Sequence, residues 1–138
     1  MRLALRRRPR SVAAAAYRRA RAPYPATPWR RGRFSAVDLE TTGLDPHKDE
    51  IISFASILIE EGRVVVGDVR TAIVRPKRMP GPATIRIHGL RPADLVGAPA
   101  LADAIEPLIE SLTGRVVVAH SAWVERAFLG AALREVGL

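Results

Sequence analysis

The sequence predicts a single α/β domain built on a mixed sheet, and three observations carry that expectation. Its 138 residues match the ~100–150 typical of one domain. Three β-branched runs succeed one another between residues 34 and 74, and a helical pattern, a fourth apolar run and a second helical pattern follow them. Strands joined by a tight turn pair antiparallel, whereas a strand reached through a helix lies parallel to its neighbour, so both pairings are expected in one sheet.

Each element has its own signal. Residues 11–21 carry four consecutive alanines and arginines of high helix propensity, and Pro23, Pro25 and Pro28 then end the helix in an extended connector. The folded body is expected to begin near Phe34. Strands are read over residues 34–39, 51–60 and 63–74, with Glu61 and Gly62 as the tight turn of a hairpin. Pro76, Pro80, Gly81 and Pro82 mark a loop, and Pro92 opens a short helical turn. A longer helix is expected over 101–112, weakened or kinked by Pro107 and ended by Gly114, before a buried apolar strand over 115–119. Ser121 can cap a last helix to about Val136, in which Trp123, Ala127, Phe128 and Ala131 recur at helical spacing.

Composition narrows the function classes. Hydrophobic residues make up 48% and charged residues 26%, the balance of a globular chain, and no apolar run is long enough to span a bilayer. With no cysteine, disulfides, thiolate metal sites and thiol nucleophiles are excluded, so a metal would be held by oxygen or histidine. The net charge of +8 is concentrated at one end: residues 1–33 hold eleven arginines and no acid, leaving eleven bases against all fourteen acids in the remainder. Residues 1–33 are therefore set apart as a basic arm and residues 34–138 as the domain. Such an arm attracts nucleic acid or anionic membrane, and it also suits a targeting segment or a biased base composition.

The chemistry concentrates in Asp38-Leu39-Glu40-Thr41-Thr42-Gly43-Leu44. Acids at i and i+2 of a strand share one face, where they repel each other unless a cation or a raised pKa relieves them. Hard divalent cations take carboxylate oxygens and supply that relief. A polar strand end in solvent accounts for the same spacing. Gly43 permits a turn or a close approach, and the two threonines offer hydroxyls and amides to a ligand. A second stretch, Val117 to Glu125, runs a strand into a helix whose N-terminus favours negative charge. If that strand lies parallel to residues 34–39, Glu125 approaches Asp38 and Glu40; otherwise it is an ordinary helix-start acid.

Together these stretches resemble the DEDD-type 3′-to-5′ exonucleases, the group typified by the epsilon subunit of bacterial DNA polymerase III, which have a ribonuclease H-like fold. Residues 38–45, D-L-E-T-T-G-L-D, are similar to that family's first motif nearly letter for letter. Ile87-His88-Gly89-Leu90 with Asp94-Leu95 is similar to its turn after the third strand. Val118-Ala119-His120-Ser121-Ala122 with Glu125 is similar to its second motif, which usually has asparagine at 121 and aspartate at 125. The resemblance spans residues 34–138 and none of the arm. It implies a metal-dependent exonuclease domain that hydrolyses phosphodiester bonds at single-stranded 3′ ends, of DNA before RNA. Two divalent cations, Mg²⁺ or Mn²⁺, would be held by Asp38, Glu40 and Glu125, with Thr41, Thr42, Gly43, Leu44, His88 and His120 toward the substrate. It further implies a cytoplasmic protein that works with a polymerase or another replication or repair protein.

One part of the family pattern has no counterpart. Its third motif places a general-base histidine and a fourth carboxylate on a further helix, and His47, His88 and His120 do not match it. His47 reads as an exposed loop residue, and His120 as a satisfied core histidine. A C-terminally truncated exonuclease domain, lacking its last strand and helix, is the expectation, against a protein that has lost one metal ligand and its general base. It would leave residues 115–119 as an unpaired edge prone to self-association. Loss of a general base costs ~10²–10⁴ in rate, so this chain is expected to be slow or inactive. The alternative reading is a non-catalytic nucleic-acid-binding or adaptor module.

Overall fold

The computed structural model describes residues 11–138, so the first ten residues of the basic arm lie outside the described residues. Helix α1, Val12–Arg19, starts where the Ser11 hydroxyl accepts a hydrogen bond from the Ala14 amide at 3.1 Å. Its alanines bring it close to the body: Ala13 and Ala14 are buried, and Ala13 and Tyr17 join the main core. The body therefore does not begin at Phe34. Four alanines in a row carry no apolar stripe that could have announced a buried face.

After a proline-rich link and a 3₁₀ turn, Trp29–Arg31, come β1 (Arg33–Thr41), β2 (Ile51–Glu60) and β3 (Arg63–Ile73). Glu61 and Gly62, with φ of 53° and 72°, turn β2 into β3 with the two left-handed residues that the twist of a hairpin favours. Strand β4, Val116–Val118, pairs parallel with β1, and the order is β3-β2-β1-β4. The mixed sheet is as expected.

The helices depart from the expected pattern in two places. Helix α2, Pro82–His88, occupies a stretch read as loop and turn; none of its residues is buried, so its sequence carries no apolar periodicity. Helix α3, Pro92–Leu95, forms as expected and buries Leu95. The single helix over 101–112 is instead α4, Leu101–Ala104, and α5, Glu106–Leu112, because Pro107 has no N–H to donate and its ring opposes the preceding turn. Helix α6, Ala122–Glu135, completes the described chain.

One sheet face carries Ser35, Val37 and Leu39 toward the core, against α5 and α6. Ser35, fully buried, reaches Ser111 of α5 at 3.4 Å. The opposite face carries Phe34, Ala36, Asp38 and Glu40. Strand β4 is not the buried strand anticipated: its three valines are 42–43% exposed, since it ends the sheet and pairs on one side only among the described residues. Trp123, placed in the apolar stripe of α6, is 72% exposed, while Phe128 and Leu129 are buried. Ser121 occupies the N-cap position, yet its side chain makes no capping hydrogen bond.

Candidate active site

Asp38 lies opposite Ala55 and Glu40 opposite Ser53 in the β1–β2 ladder, so small uncharged neighbours leave the two carboxylates facing each other's field. Glu40 is held above the usual carboxylate range, first by burial and second by the charge of Asp38, with His88 pulling in the opposite direction. That is the electrostatic cost expected of acids two residues apart on one strand face.

The ladder slips between Glu40 and Thr41, and the turn that follows is tied down by its own side chains. The Thr41 hydroxyl donates to the Gly43 carbonyl at 2.6 Å. The Thr42 amide donates to the Glu50 carbonyl at 2.9 Å, while its hydroxyl accepts from the Glu50 amide at 3.1 Å and donates to Asp49 Oδ1 at 3.0 Å. Asp49 Oδ2 accepts from the Asp45 amide at 3.0 Å. A Cβ at position 43 would sit 2.4 Å from Asp49 Oδ2, so close approach is what requires glycine here. Glu50 Oε2 accepts from the Lys77 and Arg78 amides at 2.9 and 3.3 Å, joining this turn to the loop before α2. The polar run P-H-K-D-E of residues 46–50 signals a loop in the sequence, and nothing in it marks which acid folds back. Leu44 projects at 73% exposure.

His88 sits at the end of α2, where Gly89 closes the helix at φ 77°. Its Nδ1 accepts from the Leu90 amide at 3.0 Å, which leaves Nε2 as the ring nitrogen that can donate. That nitrogen is buried and makes no hydrogen bond among the described residues. A donor without a partner thus stands within electrostatic reach of Glu40. His120 is not a core histidine: it is exposed, between β4 and α6. His47 is exposed, as expected.

Glu125 does not join the other two acids. Strand β4 stops opposite Ala36, and α6 starts at the sheet edge that bears Asp38 and Glu40, so the backbone arrives where it was expected. The side chain turns into a cleft of about 360 Å³ whose walls include Tyr17, Leu112, Val117 and Leu129. There Glu125 is 8% exposed and its Oε2 has no hydrogen-bond partner. Val117 shares the sheet face of Ser35, its β1 neighbour, so the cleft opens on the face opposite the carboxylate pair. Among the described residues no group of three or more acidic or histidine side chains is placed to hold a metal ion. The convergence of residues 38, 40 and 125 is therefore absent in this conformation.

A profile of the exonuclease family matches residues 35–136. This chain belongs to the exonuclease family. It is 38% identical over 104 residues to a DNA polymerase III subunit epsilon-like protein of Rhodobacter capsulatus, a match covering 75% of this chain and 15% of that one. Among solved structures it resembles Exonuclease X in complex with 5′ overhanging duplex DNA, with a TM-score of 0.59, 27% identity, and coverage of 69% of this chain and 52% of that chain. Exonuclease I superposes with a TM-score of 0.62 at 20% identity, over 77% of this chain and 24% of that one, and this likeness shows the fold: a ribonuclease H-like mixed sheet with flanking helices. The chain thus spans about half of Exonuclease X and a smaller part of the other two. Among the described residues no helix is long and apolar enough to cross a membrane.

Exonucleases of this type generally use two divalent metal ions. Asp38 and Glu40 fit one hard cation, since two neighbouring carboxylates, one with a raised pKa, are the donor set that such an ion relieves. Glu125, turned into the cleft, stands apart from that pair.

Proposed function

We propose that this chain is the part of a 3′-to-5′ exonuclease that binds the end of a single strand, DNA before RNA, and places its terminal phosphodiester against a carboxylate-bound cation. The observation that carries the reading is the Asp38–Glu40 pair on the open face of β1, running directly into a turn pinned by Asp49. A divalent ion on Asp38 and Glu40 would supply Lewis-acid polarisation and a water of lowered pKa.

The chain's own residues do the rest. The Thr41–Leu44 turn presents backbone to the terminal nucleotide, and the exposed Leu44 side chain offers an apolar surface to its base. His88 donates from Nε2 toward the strand end, which satisfies a buried donor that is otherwise unpaired. His120, exposed at the same sheet edge, faces the strand as well. Glu125 reaches a second cation only when its side chain leaves the cleft. No described histidine is placed as the general base of the family's third motif, so hydrolysis by this chain alone is slow. The whole protein is read as a cytoplasmic partner of a polymerase or another replication or repair protein.

The test is a 5′-labelled oligonucleotide incubated with the purified chain and Mn²⁺. Shortening from the 3′ end that falls at least ~10²-fold in Asp38→Ala supports the reading. Equal rates in Asp38→Ala and the parent, or shortening from the 5′ end, overturn it.

A further inference from the structure

Between α1 and β1 the chain crosses the end of the sheet opposite to the carboxylates. Residues Ala20–Pro23 run along Gly114 and Arg115, just before β4, and Trp29 lies on the β2–β3 turn, with its ring 3.0 Å from where a Cβ of Gly62 would be. This strap contains no acid. At its end Glu60 is already engaged by Arg33 at 3.4 Å and by Arg115 at 3.0 Å. Among the described residues no acid lies within ion-pair distance of Arg30 or Arg31, both of which are exposed. Two of the chain's seven aromatic residues stand out of the strap: Tyr24 is 75% and Trp29 57% exposed, and the Arg30 guanidinium covers the Trp29 ring at 4.3 Å. Burial does not account for these rings.

We infer that the strap is a second nucleic-acid contact, which grips a single strand away from its 3′ end through Arg30, Arg31 and the exposed rings of Trp29 and Tyr24. Charge alone would suit any polyanion. Aromatic faces interleaved with arginine suit stacked bases, because stacking is indifferent to sequence and each base has a π-face. The strap enters β1 at Arg33, five to seven residues before Asp38 and Glu40, a separation of roughly 16–24 Å at ~3.3 Å per residue. A stacked strand advances ~3.4 Å per nucleotide, so both contacts fit on one strand of about five to seven nucleotides or more. The inference rests on the proposed function for its choice of ligand, and its residues are separate from the proposed site.

Trp29 is its own reporter once the other tryptophan is removed by Trp123→Phe, at a position 72% exposed. The full chain carrying that substitution is titrated with oligothymidylate in EDTA, where no cation is available and hydrolysis is silent. Quenching of Trp29 is expected. It should persist in Asp38→Ala, and Arg30→Glu with Arg31→Glu should reduce affinity and lower the slope of log K against log salt by about 1.4, at ~0.7 per phosphate contact. In a separate cleavage assay with Mn²⁺, oligonucleotides of three nucleotides should show no difference in KM between the parent and the double-arginine variant, while those of twelve should. The inference is overturned if Trp29 emission is unchanged by the oligonucleotide. It is equally overturned if polyphosphate binds with the same affinity and the same arginine dependence, or if phosphatidylglycerol vesicles alter Trp29 and the oligonucleotide does not. A silent Trp29 alongside Asp38-dependent hydrolysis would defeat the strap and leave the proposed active site standing. Quenching without hydrolysis would do the reverse.

Discussion

Replacing Glu125 by methionine separates the resting position of this side chain from its proposed role. In the structure the carboxylate lies 8% exposed in a cleft walled by Tyr17, Leu112, Val117 and Leu129, with Oε2 unpaired. An unsatisfied buried polar group costs ~1–3 kcal/mol, and methionine has similar length without that cost. In EDTA the Glu125→Met protein should therefore be more stable by about that amount. One kcal/mol moves the midpoint of a chain of this size by roughly 3–6 °C, so thermal unfolding followed by circular dichroism should show a gain of at least about 3 °C. Glu125→Gln, which stays polar, should gain little. Mn²⁺ then probes the second role: a cation that binds only the folded state stabilises by RT ln(1 + [L]/Kd), and the methionine variant should gain less from saturating Mn²⁺ than the parent. A lower midpoint for Glu125→Met in EDTA would refute the description of this carboxylate as unpaired. An identical Mn²⁺ gain in both proteins would remove Glu125 from the cation site.

Other expectations follow from the same geometry. Glu40 has its pKa raised above 4.5, so its protonated form is the one the fold prefers, and stability is lost as pH rises through the folded-state pKa. In EDTA at pH 7, Glu40→Gln should be slightly more stable than the parent, by less than about 1 kcal/mol because water screens a half-exposed group; the advantage should fade below pH 4.5, and denaturant titrations at both pH values check it. Gly43→Ala drives a methyl against Asp49 and should cost ~1–3 kcal/mol and raise KM for the oligonucleotide. The double variant with Asp49→Ala should be less damaged than the two single losses added, by ~0.5–3 kcal/mol; strict additivity would deny the contact. On the sheet edge, Val118→Lys should lower self-association, which sedimentation at rising protein concentration would register.

The strands were legible because each has its own alternation or β-branched run: Ile51–Glu60 and the Glu61–Gly62 turn stand where the sequence puts them. The first carboxylate motif was legible for the same reason, since a period of two decides which side chains share a face. What escaped notice depends on contacts between distant segments. Helix α2 buries nothing and so shows no stripe. Helix α1 buries two alanines through their smallness, and charge is what the composition of residues 1–33 displays. Spacing along α6 brings Glu125 to the right edge of the sheet, but side-chain packing against Tyr17, Leu112 and Leu129, which spacing does not reveal, holds its carboxylate in the cleft. Asp49 was out of reach for a related reason: its partners, Thr42 and the Asp45 amide, are defined only once the turn has closed.

The docking of α1 has a consequence for how the chain is made. Helix α1 precedes every other described element along the chain, yet its seat is α5, and the Arg18 guanidinium donates to the Gly137 carbonyl. A nascent chain must therefore carry an arginine-rich segment unhoused until more than a hundred later residues have emerged, a long-range closure that slows folding. Pulse-labelling hydrogen exchange should show the α1 amides gaining protection after those of the β2–β3 hairpin; earlier protection of α1 would mean that it finds another seat first. For the same reason, cutting the protein at Arg33 to strip its positive charge would also remove part of its interior, the buried Ala13 and Ala14.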